Sequence, residues 1–243
     1  MPATKADIIA RLQKEILPLQ GYKNARGNET IEWGLGPINH AFPHHSFPVG
    51  AIHEFYCNGA EAASASAGFI AALLSGLMRT GRICLWISCS RMIFPPALKS
   101  FGLEPDKIIF IDLEKEKDIL WAMEEALKYE GLAAVIGEIK EISFTVSRRL
   151  QLAVEQSGVT GFILRCDPKY LHTTACISRW KISPLPSLNV KEMPGIGFPS
   201  WNLELIKIRN GHPGNWQIEW KAGRFNLITK LAPISRQLQK KTG

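Results

Sequence analysis

The residues best placed to do chemistry follow the first predicted strand, in the segment EFYCNGAEAASASAGF. A strand, a turn of small residues and a long helix form the usual seat of a phosphate-binding loop with the pattern G-x-x-x-x-G-K-[ST]. Starting that pattern at Gly59 places Ser64, Ala65 and Ser66 at its last three positions. A second register, starting at Cys57, lacks the lysine as well. The segment therefore resembles a degenerate phosphate loop, because that lysine neutralises the β- and γ-phosphates.

Acidic residues also argue against nucleotide binding at this position. No lysine occurs between Lys23 and Lys99, and Glu61 places a negative charge inside the predicted loop. The predicted strand LAAVIGE ends at Glu138, where a nucleotide-hydrolysing protein would carry an aspartate associated with magnesium. Glu138 could replace that aspartate, but a solvated carboxylate at a strand end is the commoner explanation. We expect no tight MgATP binding, no cofactor and no catalytic residue; an ATPase using Ser66 and Glu138 is the enzymatic alternative.

Alternating strands and helices must position this segment. Apolar runs separated by helical patterns predict an α/β fold, whose parallel sheet is covered on both faces. The predicted strands are AIHEFY, RICLWIS, KIIFIDL, LAAVIGE and TGFILRC, and the predicted helices are Ala62 to Arg79, the helix-like FPPALKSFG, Lys115 to Tyr129 and Thr145 to Ser157. Beyond Cys166 the helical patterns stop, and ACISRWKI, WNLELIKIRNG, NWQIEWKAG and RFNLIT predict antiparallel strands with a loop from Pro184 to Pro199.

Length and composition favour one main domain. The 243 residues, 46% of them hydrophobic, suffice for a single substantial core. We predict an N-terminal amphipathic helix within residues 1–22, a core over 23–233 and a basic tail over 234–243, with the first helix serving docking or oligomerisation.

The charged N-terminal residues predict no export signal. The uncharged stretch from Ala62 to Met78 predicts a buried helix, because it contains three serines and two glycines and is shorter than a membrane span.

The net charge of +7 is compatible with contact to DNA or to an acidic partner. The candidate contact residues are Lys207, Arg209, Arg236, Lys240 and Lys241. Lys207 and Arg209 have the same parity on one predicted strand, so both should point to one face, which could equally be a solvated face of a half-buried strand. Three tryptophans, Trp201, Trp216 and Trp220, could stack on bases, although packing in the core is the commoner role of such residues.

Histidines and cysteines do not predict a metal site. Four histidines, His40, His44, His45 and His53, lie within fourteen residues, but their spacing is not that of zinc ligands and turn histidines beside prolines are usually solvated. The five cysteines form no C-x-x-C motif and lie mostly in apolar runs. We therefore predict reduced, buried thiols.

Several longer motifs, in order along the chain, carry a family resemblance. The lead-in GLGPINHAFPHHSFPVGAIHEFY resembles that of RecA-type recombinases. The closer resemblance is to the ImuA family, RecA-like and SulA-like accessory proteins of bacterial error-prone repair. It rests on PVGAIHEF, LWAMEEAL, AAVIGEI, SRRLQLAVEQSGVTGFILR, SRWKISPLPS and WNLELIKIRNGHPGNWQIEW, and it extends from the first helix to about Lys221.

The resemblance implies a RecA-like three-layer core and a non-catalytic adaptor role in SOS-induced translesion synthesis. The implied partner is ImuB, an inactive Y-family-polymerase-like protein, with an error-prone replicative-type polymerase reached indirectly and with RecA and DNA as further candidates. The implied location is the cytoplasm, near the nucleoid and away from membranes. RecA grips single-stranded DNA with a long loop, whereas the corresponding segment here is only CDPKYLHTT, so we expect no ordered filament. A SulA-like inhibitor of the division protein FtsZ is the remaining alternative.

Overall fold

The structure is a computed structural model that describes residues 34–91, 93–187 and 197–228. The predicted N-terminal helix and the tail residues Arg236, Lys240 and Lys241 lie outside these ranges. Their docking and DNA-contact roles therefore stay predictions, as do the three boundaries proposed for the chain.

One mixed sheet organises the described residues. Its nine strands are β1 (Ile52–Cys57), β2 (Ile83–Ser88), β3 (Ile108–Asp112), β4 (Leu132–Ile139), β5 (Thr160–Cys166), β6 (Ser178–Leu185), β7 (Ser200–Ile208), β8 (Gly214–Lys221) and β9 (Arg224–Leu227). They lie in the order β3-β2-β4-β5-β1-β6-β7-β8-β9. The pairs from β3 to β6 are parallel and those from β6 to β9 are antiparallel. The predicted α/β class and the change to antiparallel strands are confirmed.

Within the described ranges, three α-helices cover the two faces of the sheet. They are α1 (Gly59–Leu77), α2 (Glu116–Leu127) and α3 (Phe144–Ser157). One core packs α1 against Phe55 and Trp180, and the other packs α2 and α3 against Ile52 and Ile163. Because neighbouring strand residues point to opposite faces, apolar side chains are buried on both sides of β1.

Several predicted elements change in detail. FPPALKSFG forms a 3-10 helix, Pro95–Phe101, which ends at Gly102 in the left-handed conformation. The strand β6 extends to Leu185, so Pro184 pairs with Trp201 of β7 instead of opening a loop. Residues 188–196 of that predicted loop lie outside the described part of the chain.

The helix α1 is buried, as its composition predicted. By length and composition alone this helix could cross a membrane, but two thirds of its apolar stretch is buried inside the fold. That situation is common for the core helix of a globular protein. The predicted packing role of the tryptophans is also confirmed, because Trp201 and Trp220 are buried and Trp216 packs against the same core.

Candidate functional site

The end of β1 runs almost directly into α1. Only Asn58 separates Cys57 from Gly59, the first residue of the helix. Gly59 has a φ of +80°, a conformation that favours glycine. The helix thus begins three residues before the predicted start at Ala62 and includes Glu61, so the turn between strand and helix is shorter than predicted. Ser64, Ala65 and Ser66 are helical as predicted, because an alanine-rich run without further glycines favours a helix over a loop.

The carboxylate of Asp167 occupies the position at which a helix N-terminus would bind an anion. The backbone N–H of Gly59 donates to Asp167 Oδ1 at 2.8 Å, and the Asp167 N–H donates to the Cys57 carbonyl at 2.9 Å. Asp167 follows β5, the strand beside β1, which brings the two segments together although they are 108 residues apart. Since the N-terminus of a helix carries partial positive charge, this carboxylate satisfies it from within the chain.

We expect Asp167→Ala to lower the free energy of unfolding by about 1 kcal/mol, as loss of a helix cap does. Urea unfolding followed by circular dichroism measures this change. Asp167→Asn is the matched control, because its amide oxygen still accepts the Gly59 N–H and most of the stability should remain. Neither variant should bind MgATP in calorimetry, since no lysine is restored. An unchanged stability in Asp167→Ala would contradict the capping role.

Glu138 is half-buried, so the prediction of a solvated carboxylate at this strand end is wrong. The indole N–H of Trp86 on β2 donates to Glu138 Oε1 at 2.5 Å. Burial raises the pKa of the Glu138 carboxyl, against a smaller lowering by the Trp86 hydrogen bond. The neighbouring strand β2 thus covers the carboxylate, which the sequence of β4 alone does not indicate.

The two serines of the predicted loop have different surroundings. Ser64 is exposed on α1. Together with Glu138 it lines a cavity between α1 and the 3-10 helix Pro95–Phe101. Ser66 is fully buried, and its hydroxyl has no hydrogen-bond partner among the described residues. Ser66 does not line that cavity. The two residues on which the ATPase alternative depends therefore do not share this cavity.

A buried ionic network joins the neighbouring strands β5, β1 and β6. Glu54 on β1 and Arg165 on β5 are both fully buried, with 2.8 Å between Glu54 Oε1 and Arg165 Nη1. Arg179 on β6 donates to the other carboxylate oxygen at 2.9 Å, and the Thr174 hydroxyl donates to it at 2.7 Å. This network was not predicted from the sequence. A signal existed, because Glu54 and Arg165 are charged residues inside mainly apolar strands.

The network holds the chain segment between β5 and β6. Arg165 donates to the Tyr170 carbonyl at 2.8 Å, and Arg179 donates to the carbonyl of His172. Glu141 accepts from the backbone N–H of Lys169 at 2.6 Å and forms an ion pair with Arg165 at 2.9 Å. The segment CDPKYLHTT, which the sequence predicted to be too short for a recombinase loop, is therefore fixed along most of its backbone.

Lys207 lies near the end of β7 and Arg209 directly follows it, and both side chains donate to neighbouring backbone carbonyl groups. Lys207 Nζ donates to the Thr174 carbonyl at 3.0 Å, and Arg209 Nη2 donates to the Ala175 carbonyl at 3.1 Å. Burial lowers the pKa of Lys207, and the nearby Arg179 lowers it further. Both cations thus bond within the chain, and their predicted contact with DNA or a partner stays a prediction.

His53 differs from the other three histidines of the sequence cluster. Its ring is fully buried between Phe47 and Phe162. Its Nε2–H donates to the Pro48 carbonyl at 2.7 Å, which leaves Nδ1 to accept from the Ser178 hydroxyl, also at 2.7 Å. The expectation of a solvated histidine is wrong here, because β1 is central in the sheet. No group of metal-ligating side chains occurs within the described ranges.

The prediction that the cysteine thiols are buried is only partly confirmed. Cys57, Cys84 and Cys176 are buried, whereas Cys166 is half-buried and Cys89 is exposed. Cys57 and Cys166 face each other across β1 and β5, with 3.8 Å between their sulfur atoms. The thiol of Cys57 donates to Cys166 Sγ, which lowers the pKa of Cys166 and raises that of Cys57.

The sheet order and the helix layers define a RecA-like α/β protein. The chain is similar to the crystal structure of the RadB recombinase, with a TM-score of 0.53 and 13% identity over 83% of this chain and 97% of that one. At this identity the similarity shows the fold alone. Within that class, the phosphate-loop position of this chain holds a helix capped by its own carboxylate.

Sequence comparison shows the family. The chain is 32% identical over 219 residues to Protein ImuA from two strains of Caulobacter vibrioides, and the alignment covers 83% of this chain and 90% of that protein. The chain therefore belongs to the ImuA family. It is also 28% identical over 116 residues to the cell division inhibitor SulA of Serratia marcescens, which covers 48% of this chain and 68% of that protein. No protein-family model matches the chain.

Proposed function

We propose that the protein is a non-catalytic adaptor in DNA-damage-induced, error-prone translesion synthesis. In this role it binds a polymerase-like partner, ImuB, in the cytoplasm and connects it to the repair machinery. Membership of the ImuA family supports the biological setting. The observation that carries the non-catalytic role is the Asp167 carboxylate on the Gly59 amide, at the position where a RecA-like ATPase would hold phosphate.

Electrostatics at this end of α1 supports the proposal further. Asp167 caps the helix, Glu61 lies in its first turn, and Glu138 lies in the neighbouring cavity. A triphosphate would bring several negative charges to these three carboxylates without the lysine that neutralises them. The fold is therefore best suited to present surfaces to other macromolecules.

The held segment between β5 and β6 offers such a surface at the carboxyl edge of the parallel strands. Tyr170 is 66% exposed and Leu171 is 44% exposed, although the backbone at Tyr170 is fixed by Arg165 and Glu141. Because this backbone is already ordered, binding there loses little conformational entropy. Aromatic side chains are common energetic centres of protein interfaces. We include Tyr170 and Leu171 in the proposed partner surface.

Copurification with tagged ImuB from DNA-damaged cells tests the adaptor role. We expect the wild-type protein to be retained, and Tyr170→Ala to reduce retention about tenfold, which corresponds to a loss of about 1.4 kcal/mol of binding free energy. Tyr129→Ala is the matched control, because Tyr129 is 67% exposed at the opposite edge of the sheet, before β4. Failure of the wild-type protein to copurify would overturn the proposed function. Equal loss in both variants would exclude the Tyr170 surface.

Contact with DNA is a second part of the proposal, based on the net charge of +7. Any affinity should be phosphate-driven and should fall steeply with salt, without base preference. Fluorescence anisotropy of mixed-sequence single strands at several salt concentrations measures it. A truncation after Pro233, which removes Arg236, Lys240 and Lys241, should weaken binding and reduce the salt dependence. An affinity that does not change with salt would mean that stacking, and not charge, provides the contact.

A further inference from the structure

A cavity of about 270 Å³ lies beside the capped end of α1. Its walls come from α1, from the 3-10 helix Pro95–Phe101 and from the ends of β4 and β5. Apolar groups form most of the lining, among them Ala67, Leu98, Phe101 and Leu164. Pockets for drug-sized ligands measure about 300–1,000 Å³, so this cavity suits a ligand smaller than a nucleotide.

Glu138 is the one charged side chain among the described residues that line the cavity. Its Oε1 atom accepts from Trp86, and Oε2 has no hydrogen-bond partner among those residues. Burial of this carboxylate raises its pKa, against a smaller lowering by the Trp86 hydrogen bond, and the negative charge of Asp112 raises it further. The cavity thus combines an apolar wall with an acid that lacks a cation.

Charge and shape together select the ligand. An anion is disfavoured because Glu138 repels it, and a purely apolar group leaves the half-buried carboxylate without its missing partner. An aliphatic chain that ends in a cation satisfies both the wall and the acid. With one carboxylate oxygen already bound to Trp86, a point-like ammonium fits better than the two-pronged guanidinium.

We propose that this cavity binds a lysine side chain of a protein partner, with the aliphatic stem against the apolar wall and the ammonium group on Glu138. The inference rests on the proposed adaptor function, because it takes the lysine from the partner. The position at which a RecA-like ATPase would bind an anion then lies next to one that binds a cation.

The chemistry of the cavity is tested with n-butylammonium chloride as the probe and n-butanol as its neutral control. Protection of Cys166 against iodoacetamide, measured by mass spectrometry, reports occupancy because Cys166 lines the cavity. The exposed Cys89 is the internal control. We expect n-butylammonium to protect Cys166 at concentrations at least about tenfold lower than n-butanol does, as a charge-assisted hydrogen bond requires. N-butylguanidinium should be weaker than n-butylammonium.

Two variants separate the carboxylate from general charge effects. Glu138→Gln should abolish the preference for the cation, whereas Glu61→Gln, an exposed acid on α1 outside the cavity lining, should preserve it. Binding of n-butylammonium should strengthen as the pH rises through the pKa of Glu138, and this pH dependence should be absent in Glu138→Gln. Equal protection by n-butanol and n-butylammonium, or an unchanged preference in Glu138→Gln, would overturn the proposal.

Copurification with ImuB tests the source of the lysine. Retention of Glu138→Gln should fall at least about tenfold relative to Glu61→Gln. If the probe binds as expected but Glu138→Gln retains ImuB fully, the partner lysine is excluded while the adaptor function stands. If wild-type protein does not retain ImuB, the adaptor function and its partner lysine both fail, while the probe experiment still decides the chemistry of the cavity.

Discussion

Replacing Glu54 by glutamine should lower the free energy of unfolding by about 3–5 kcal/mol, the typical effect of removing one member of a buried ion pair. Glu54 is fully buried between Arg165 and Arg179. Its Oε1 atom lies 2.8 Å from Arg165 Nη1, and its Oε2 atom lies 2.9 Å from Arg179 Nε. In Glu54→Gln both guanidinium groups keep their positive charge without the carboxylate that lies between them. Glu141 still faces Arg165, but it is partly exposed and does not contact Arg179 in the described network.

Urea unfolding followed by circular dichroism measures this loss. The matched control is Glu125→Gln, which removes the exposed pair between Glu125 and Lys128 and should change the free energy of unfolding by no more than about 1 kcal/mol. If Glu54→Gln is too unstable to purify, Thr174→Val removes the hydroxyl that donates to Glu54 at 2.7 Å and accepts from Arg179 at 3.4 Å, and it should cost about 1–3 kcal/mol. A change below 1 kcal/mol in Glu54→Gln would show that the arginines do not depend on Glu54.

The stability of the protein should fall between about pH 6.5 and pH 3 because of His53. Burial lowers the pKa of His53 from 6.5 to about 3 in the folded protein, against a smaller raising by the Pro48 hydrogen bond. In this range the unfolded chain binds a proton that the folded protein does not. The free energy of unfolding therefore increases with pH, by up to about 1.4 kcal/mol per pH unit. This contribution is fully present above pH 6.5.

Urea unfolding at a series of pH values gives the slope of the free energy of unfolding against pH. A substitution that lowers stability equally at every pH leaves this slope unchanged. His53→Gln should reduce the slope by up to about 1.4 kcal/mol per pH unit. His212→Gln, at an exposed histidine, should keep the wild-type slope. Glu138 works in the opposite direction, because its raised pKa adds stability as the pH falls. An unchanged slope in His53→Gln would contradict a neutral buried imidazole.

Local patterns predicted most of the fold because its elements have strong local signals. Short apolar runs predicted the strands β1 to β5, and helical periodicity predicted α2 and α3. Each of these patterns can be recognised within about ten residues of sequence. The missing lysine after β1 also predicted the loss of a nucleotide site without reference to the fold. The helix-like segment FPPALKSFG forms a 3-10 helix, since its two prolines allow the tighter turn that the chain adopts.

The candidate site was harder to predict, because its contacts join distant parts of the chain. Asp167 caps a helix that begins 108 residues earlier, and Arg165 meets Glu54 across a separation of 111 residues. Neither pair has a spacing that a linear pattern can show. Lys207 and Arg209 were candidates for contact with DNA or a partner, yet both side chains donate to carbonyl groups of the chain between β5 and β6.

The α/β class, the family resemblance and the absence of the phosphate-binding lysine could all be read from the sequence, because helical and strand periodicity and residue identity are local properties. Which charges are buried, which are paired and which one faces a cavity depends instead on the folded chain. The strand order decides this, because it places β5 and β6 on either side of β1. That order brings Arg165 and Arg179 to Glu54 and Asp167 to Gly59, and electrostatic interactions act over such distances in space irrespective of separation along the chain.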